Sequence, residues 1–228
     1  MARELRNRLI YYLHDKPLLK EAQRVFHGTL LDIGCGSKPY QSPMKSLVTH
    51  HFGLDYRDHQ EGLARPDMLG TAYQLPLRAN SVDSILSTSA LEHLSHPLDA
   101  LCEAFRVLRP GGYAIYTAPF IWHLHDEPHD YFRFSKYGLT QLFRESGFET
   151  IQIRALSGFW GTFGQLFVYY LYRFNIGPIK WLHLMDVIGL FLQLAFYLLD
   201  ALDRCEKWTC LYMVIAHKPY PDRKHDRS

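Results

Sequence analysis

Residues 30–37 read Leu-Leu-Asp-Ile-Gly-Cys-Gly-Ser. An apolar run that ends in Asp32 and opens directly into glycines predicts a strand followed by a tight loop. Gly34 and Gly36 would let the backbone approach a ligand where a Cβ would collide. About twenty residues downstream, Gly53-Leu54-Asp55 predicts a second strand ending in an acid, a spacing that can bring a carboxylate to the two ribose hydroxyls of a nucleoside. An ordinary strand-to-helix turn would account for the glycines alone; glycine loop and acid together point to a nucleoside ligand. Lys38 and Pro39 follow Gly36, so the loop is not Gly-x-Gly-x-x-Gly, and no Gly-Lys-Ser/Thr phosphate loop is present.

Outward from this stretch the chain alternates strands and helices, the pattern of an α/β protein. Apolar runs at 29–33, 50–54, 66–70, 82–87 and 112–118 read as strands and 97–108 as a helix, closed by the Arg-Pro-Gly-Gly turn at 109–112. Residues 136–146 read as a helix closed by Gly147, then come strands at 148–155 and 210–217. Residues 3–26 carry a helical apolar pattern that Pro17 is expected to divide in two. Cys102 falls on an apolar helix face and is expected in the core.

In the 228 residues, 25 Lys and Arg against 23 Asp and Glu leave a net charge of +2, which argues against nucleic acid as a partner. The four cysteines, Cys35, Cys102, Cys205 and Cys210, form no Cys-x-x-Cys pair, so neither structural zinc nor a disulfide framework is expected, and a cytoplasmic setting is. The first residues, Met-Ala-Arg-Glu-Leu-Arg-Asn, lack the apolar core of a signal peptide.

Several segments together resemble the class I S-adenosylmethionine-dependent methyltransferases of the type 11 branch. They are Leu-Asp-Ile-Gly-Cys-Gly at 31–36, Asp55, Leu75-Pro76, Ser-Val-Asp-Ser-Ile-Leu at 81–86, Leu-Glu-His-Leu at 91–94 and Phe-Arg-Val-Leu-Arg-Pro-Gly-Gly at 105–112. The likeness runs from about Leu30 to Phe148. It implies a Rossmann-like seven-stranded α/β fold, mostly parallel with the last strand antiparallel, and S-adenosyl-L-methionine as cofactor. By position, Asp32 would order the glycine loop, and Gly34, Cys35 and Gly36 would border the methionine end. Asp55 would hold the ribose, with Tyr56 packing on the adenine. Ser87 and Thr88 would line the methionine side. Thr71, with Ala72 beside it, stands where the family usually has an acid that accepts from the adenine amino group; a hydroxyl accepts that bond without a carboxylate's charge. Lys38 stands where the family often has a third glycine.

Residues 119–134 follow the fifth strand, at the sheet edge where open α/β folds bind ligands. A type 11 subgroup often seen with cell-surface polysaccharide or lipid pathways carries a similar His-x-x-Pro-x-Asp-Tyr-x-Arg run, here His125, Pro128, Asp130, Tyr131 and Arg133. Three readings stand side by side. His125 or His129 is a general base for the acceptor hydroxyl; or His123, His125, His129 and Asp126 hold a metal; or the segment is a lid pinned by Asp130–Arg133 pairing.

Between residues 158 and 199 there are 12 aromatics in 42 residues, about twice the chain-wide 14%, so this stretch is more than a connector. Gly177-Pro178 is expected to divide it into two helices. Asp186, Gln193 and Asp200 recur every seven residues as one narrow polar stripe, expected to face water while the aromatics meet a membrane surface. The uncharged runs are too short to span. A cap over the site, a homodimer interface and simple packing on its own domain are the alternatives.

The expected layout is an N-terminal helical segment (1–28), the cofactor-binding core (29–156), the hydrophobic helical insertion before the last strand (157–206), that strand (207–218) and a polar tail (219–228). The expected function is methyl transfer to a small-molecule or lipid-linked acceptor, at oxygen, since no Asn-Pro-Pro-Tyr-type tetrad marks amide or base methylation. The expected place is the cytoplasm, with association at the cytoplasmic face of a membrane through 158–204. A catalytically silent cofactor-binding or scaffold protein of the same fold is the rival.

Overall fold

A computed structural model describes residues 5–56, 65–177, 182–203 and 205–221. Seven strands form one sheet: β1 (Thr29–Ile33), β2 (His50–Asp55), β3 (Met68–Leu69), β4 (Val82–Thr88), β5 (Leu108–Pro119), β6 (Glu149–Ala155) and β7 (Leu211–His217). Their spatial order is β3-β2-β1-β4-β5-β7-β6. β1 pairs parallel with both β2 and β4, so the strand order reverses there and a crevice opens at the carboxyl edge. β7 runs antiparallel between β5 and β6.

Consecutive strand residues serve opposite faces, and both faces are buried. Leu31, Ile85, Ala114 and Val214 pack with α3 (Pro97–Val107) and α4 (Lys136–Glu145). Their neighbours Leu30, Leu86, Ile115 and Met213 pack with α1 (Arg8–Val25) and Met44 of the short α2 (Gln41–Met44). The apolar runs of the sequence are continuous for this reason.

Four local features differ from the sequence expectation. α1 is one helix through Pro17, not two pieces; the proline removes one N–H, but Leu13 and Leu18 on either side are buried, and packing holds the helix together. β3 is two residues long rather than five. Arg109–Gly112 do not end a helix as a free turn; they form a bulge inside β5, since Val82 pairs with Leu108 and Ser84 with Tyr113. Cys102 is exposed, on the side of α3 away from Ala100, Leu101, Ala104 and Val107.

The aromatic stretch supplies α5 (Phe159–Tyr172) and α6 (Leu184–Leu202), joined through Gly177 and residues outside those described. The polar stripe of α6 faces inward, contrary to expectation. Asp200 accepts hydrogen bonds from the Gly158 and Gly161 amides (2.7–3.1 Å), capping α5 at a residue that has no side chain of its own to do so. Gln193 accepts from the Leu9 amide in the first turn of α1 and donates to the Leu5 carbonyl. Asp186 accepts from the Tyr172 hydroxyl. Asp200 and Gln193 satisfy helix ends that would otherwise be buried and unpaired, an interaction the heptad spacing alone does not reveal. α5 and α6 approach closely, for a Cβ at Gly164 would lie 2.3 Å from Cγ of Phe196.

Asp200→Ala should therefore strand two buried amides. An expected loss of roughly 2–4 kcal/mol would appear as a lower midpoint in urea denaturation, with Asp200→Asn falling in between because its amide oxygen still accepts.

Candidate functional site

Parallel pairing aligns the ends of β1 and β2, with Asp32 opposite Gly53 and Ile33 opposite Leu54. The chain then turns, and the amides of Gly34 and Cys35 both donate to the Leu54 carbonyl (2.9 and 3.2 Å). Gly34 adopts φ +71°, and a Cβ there would stand 2.6 Å from that of Ala90. Only glycine allows this backbone to lie against the segment after β4. The Gly36 amide donates to Oδ2 of Asp55 (2.9 Å), and the Tyr56 amide to Oδ1 (2.8 Å). A Cβ on Gly36 would meet no heavy atom within 4 Å, so the loop borders open space. An ionised carboxylate can accept about four hydrogen bonds, so Asp55 can hold the loop and still receive ligand hydroxyls. The residues present thus fit a nucleoside-bearing cofactor.

Beneath the loop lies a set of charged contacts that the sequence did not disclose. Asp32 is buried, and Nε2 of His51 lies 3.2 Å from its Oδ2. Burial pushes the Asp32 carboxyl up, and His51 opposes that shift. Lys38 takes φ +55°, a left-handed conformation that glycine adopts most easily, and its buried side chain runs back to donate to Asp67 (2.7 Å). The Gly53 amide donates to the same Asp67 oxygen. Lys38 is thus an internal strut and not a defect in the loop. Cys35 is buried, and desolvation pushes its thiol up to about 12, so it stays uncharged packing.

The remaining expected cofactor positions lie at the same edge. Tyr56 is exposed beside Asp55. Thr71 is exposed and bridges to Gln74, while Ala72 is buried beneath it. Ser87 is buried and Thr88 half-buried at the end of β4, where Thr88 pairs with Thr117. One further network ties α1 here. His14 shares its ring nitrogens between Oδ1 of Asp15 (2.9 Å) and Oγ1 of Thr117 (3.0 Å), and the Tyr40 hydroxyl donates to Asp15. The His-Asp pair sits among apolar residues in the helix sequence, and only the tertiary contact gives it meaning.

On the other side of the crevice, residues 119–134 fold back over the segment after β4. The Arg133 guanidinium grips both oxygens of Asp130 (2.6 and 2.7 Å) and donates to the His123 carbonyl. It holds the Asp130 carboxyl well below the usual carboxylate range. The Tyr131 and Phe132 amides donate to the Glu92 carbonyl. This is the geometry of a pinned lid, and the histidines are sorted within it. His125 turns inward, its Nε2 4.0 Å from Oε1 of Glu92 and its ring against that of His93. His129 instead bonds its ring to the Tyr131 hydroxyl. The group drawn together is Glu92, His93 and His125, and not the His123, His125, His129 and Asp126 suggested by spacing. Glu92 is 1% exposed, and burial pushes its carboxyl up to about 8. From the insertion, Tyr169 of α5 packs edge-on against Trp122 and His123.

Known proteins bear on this geometry. Residues 31–116 match the family model described as a methyltransferase domain. An uncharacterized methyltransferase of Mycobacterium ulcerans (strain Agy99) is 30% identical over 122 residues, 48% of each chain. A ubiquinone biosynthesis O-methyltransferase of Roseobacter denitrificans is 30% identical over 93 residues, 36% of this chain and 38% of its own. The chain therefore spans about half the length, or less, of the curated relatives it matches. Among solved structures, the 4+2 cyclase SpnF superposes over 92% of this chain and 82% of its own, with a TM-score of 0.64 and 20% identity. That likeness shows the fold alone, as a cyclase on the same sheet makes plain. The family model covers the stretch that holds the glycine loop and both strand-end acids, and on that stretch the chain is similar to methyltransferase domains.

Proposed function

We propose that the chain transfers a methyl group from S-adenosylmethionine to an oxygen of a lipid-linked or small-molecule acceptor. The observation that carries this reading is the Gly36–Asp55 hydrogen bond beside an open glycine cradle. The bound cofactor would supply a methyl group on a positively charged sulfur, which becomes a neutral thioether as the acceptor oxygen takes the methyl and gives up its proton. Asp55 receives the ribose hydroxyls, Tyr56 offers a ring to the adenine, and Asp32 with the Lys38–Asp67 pair keeps the loop in shape. Ser87 and Thr88 line the methionine side, with Gly34 and Cys35 opposite. Thr71 and Ala72 lie at the adenine end. Alignment of donor and acceptor is the main requirement of such a transfer. The lid and the Glu92, His93 and His125 side chains supply the acceptor's side of that alignment. His129, turned to Tyr131, serves the lid.

The lipid-linked form of the acceptor is favoured by the outer surface of α5 and α6. With the polar stripe spent inside, Val187, Phe191, Leu194, Leu198 and Leu202 form one exposed apolar line along α6; Phe191 and Leu202 are 71% and 85% exposed. Phe163, Phe167, Tyr170 and Phe174 form a second on α5 and its end. α6 is long and apolar enough to cross a membrane by length and composition. Its side-on packing against α1 and α5, through Gln193 and Asp200, supports an interfacial placement instead. Lys16 and Lys20 line a cleft between α1, β6 and α6, where they would attract anionic headgroups, while Arg154 in the same cleft is paired with Glu21.

Asp55→Ala removes charge-assisted bonds worth about 1.5–3 kcal/mol each. Calorimetry with S-adenosylhomocysteine should show affinity at least about tenfold weaker; unchanged affinity in a folded variant refutes the assignment. His125→Ala should lower methyl incorporation from labelled S-adenosylmethionine into a lipid extract by on the order of 10²-fold, with cofactor affinity retained. Cofactor binding without any incorporation by the unaltered chain would point to a silent scaffold. In flotation with anionic liposomes the chain should rise with the vesicles, and Phe191→Glu with Leu198→Glu should leave it at the bottom. An unaltered chain that stays at the bottom and sediments as a dimer would assign the same face to self-association.

A further inference from the structure

Glu92 and His93 follow β4, and His125 follows β5, so the sheet brings them to the same edge from separate crossovers. One ligand atom from each lies within 4.8 Å of the other two. Their hydrogen bonds orient them. Nδ1 of His93 lies 2.8 Å from the His129 carbonyl, which can only accept, so that nitrogen carries the proton and Nε2 holds the lone pair. Nδ1 of His125 lies 3.3 Å from both Oδ2 of Asp130 and the His123 carbonyl, again acceptors, with the same consequence. Both Nε2 atoms stand 4.0 Å from Oε1 of Glu92. That gap is too long for a hydrogen bond. It is also within a small closure of the roughly 3.3 Å edge of a tetrahedron whose metal bonds are about 2.0–2.1 Å long.

A second observation is independent of this spacing. Oε2 of Glu92 is buried without a hydrogen-bond partner, and a buried carboxylate oxygen left unpaired is costly. Among the described residues no hydrogen bond reaches that oxygen, and only the more distant Arg133 charge and a backbone hydrogen bond to the carboxyl offset its burial. A cation between Glu92 and the two imidazoles would supply the missing partner.

We propose that Glu92, His93 and His125 bind a first-row divalent metal ion whose open positions face the methyl acceptor. Two imidazoles and one carboxylate suit zinc, manganese, iron or cobalt better than calcium. The carboxylate of Asp130 and the carbonyl of His129 behind the rings are the supports that metal-bound histidines use. Asp126, its Oδ2 3.8 Å from Nε2 of His93, stands exposed at the mouth, near enough to join. The ion would hold the acceptor oxygen and ease loss of its proton, so His125 would act through the metal. This role rests on the methyltransferase reading; the site itself does not.

The test uses the untagged full chain after chelator treatment and dialysis. Titration with Co²⁺ should give one equivalent of uptake with visible absorption bands, displaced by Zn²⁺. Glu92→Gln and His125→Ala should each weaken uptake by about 10–100-fold, and His129→Ala should leave it unchanged. Uptake that is absent, indifferent to both substitutions, or lost in His129→Ala overturns the site. S-adenosylhomocysteine calorimetry on the same samples separates the causes. Variants that lose cobalt but keep cofactor affinity are folded, and His125→Ala, at a part-exposed position, carries the test if Glu92→Gln fails to fold. A chain that takes up cobalt but never binds S-adenosylhomocysteine refutes the methyltransferase reading while the metal site stands.

Discussion

The hydrogen bond from the Gly36 amide to the Asp55 carboxylate, beside those from the Gly34 and Cys35 amides to the Leu54 carbonyl, joins the ends of two adjacent parallel strands. Parallel strands carry their carboxyl ends to one edge but leave the loops there untied. Here the acid that ends β2 clamps the loop that leaves β1, and the same carboxylate also fixes the start of the next loop at Tyr56. The clamp requires a glycine on one side and an acid on the other. It also requires a rigid floor, provided by Asp32 with His51 and by Lys38 with Asp67. The shape of the glycine cradle follows from strand ends held this way.

Residues whose role is local could be read from the sequence. Asp32, Gly34, Gly36 and Asp55 lie at strand ends, where the apolar runs place them, and the antiparallel last strand is what the family resemblance implies. Residues whose role depends on a distant partner could not be read. His125 is 32 residues from His93 and 33 from Glu92, and it meets them only because β4 and β5 are neighbours. Lys38 looked like a departure from pattern until its side chain was seen to reach Asp67. Pro17 was read by its backbone cost, and the packing of Leu13 and Leu18 outweighs it. Cys102 faces outward on α3, where the apolar pattern is too short to fix the phase of the helix.

The stripe on α6 shows a subtler limit. Periodicity identifies which residues share a face, but not which way that face points. In water the usual orientation is polar outward. Here Gln193 and Asp200 reach the exposed backbone ends of α1 and α5, whose unpaired amides are a stronger demand than solvation of an amide or a carboxylate at the surface. The helix is therefore turned over, and apolar side chains cover its outside.

Helix α1 touches everything that matters. Its first turn is held by Gln193 of α6, and its middle is locked through His14 and Asp15 to Thr117 at the end of β5 and to Tyr40 beyond the glycine loop. It joins the outer helix pair to the carboxyl edge of the sheet as one continuous helix. Whatever surface seats α5 and α6 is therefore separated from the strand ends beside the glycine loop by a single helix.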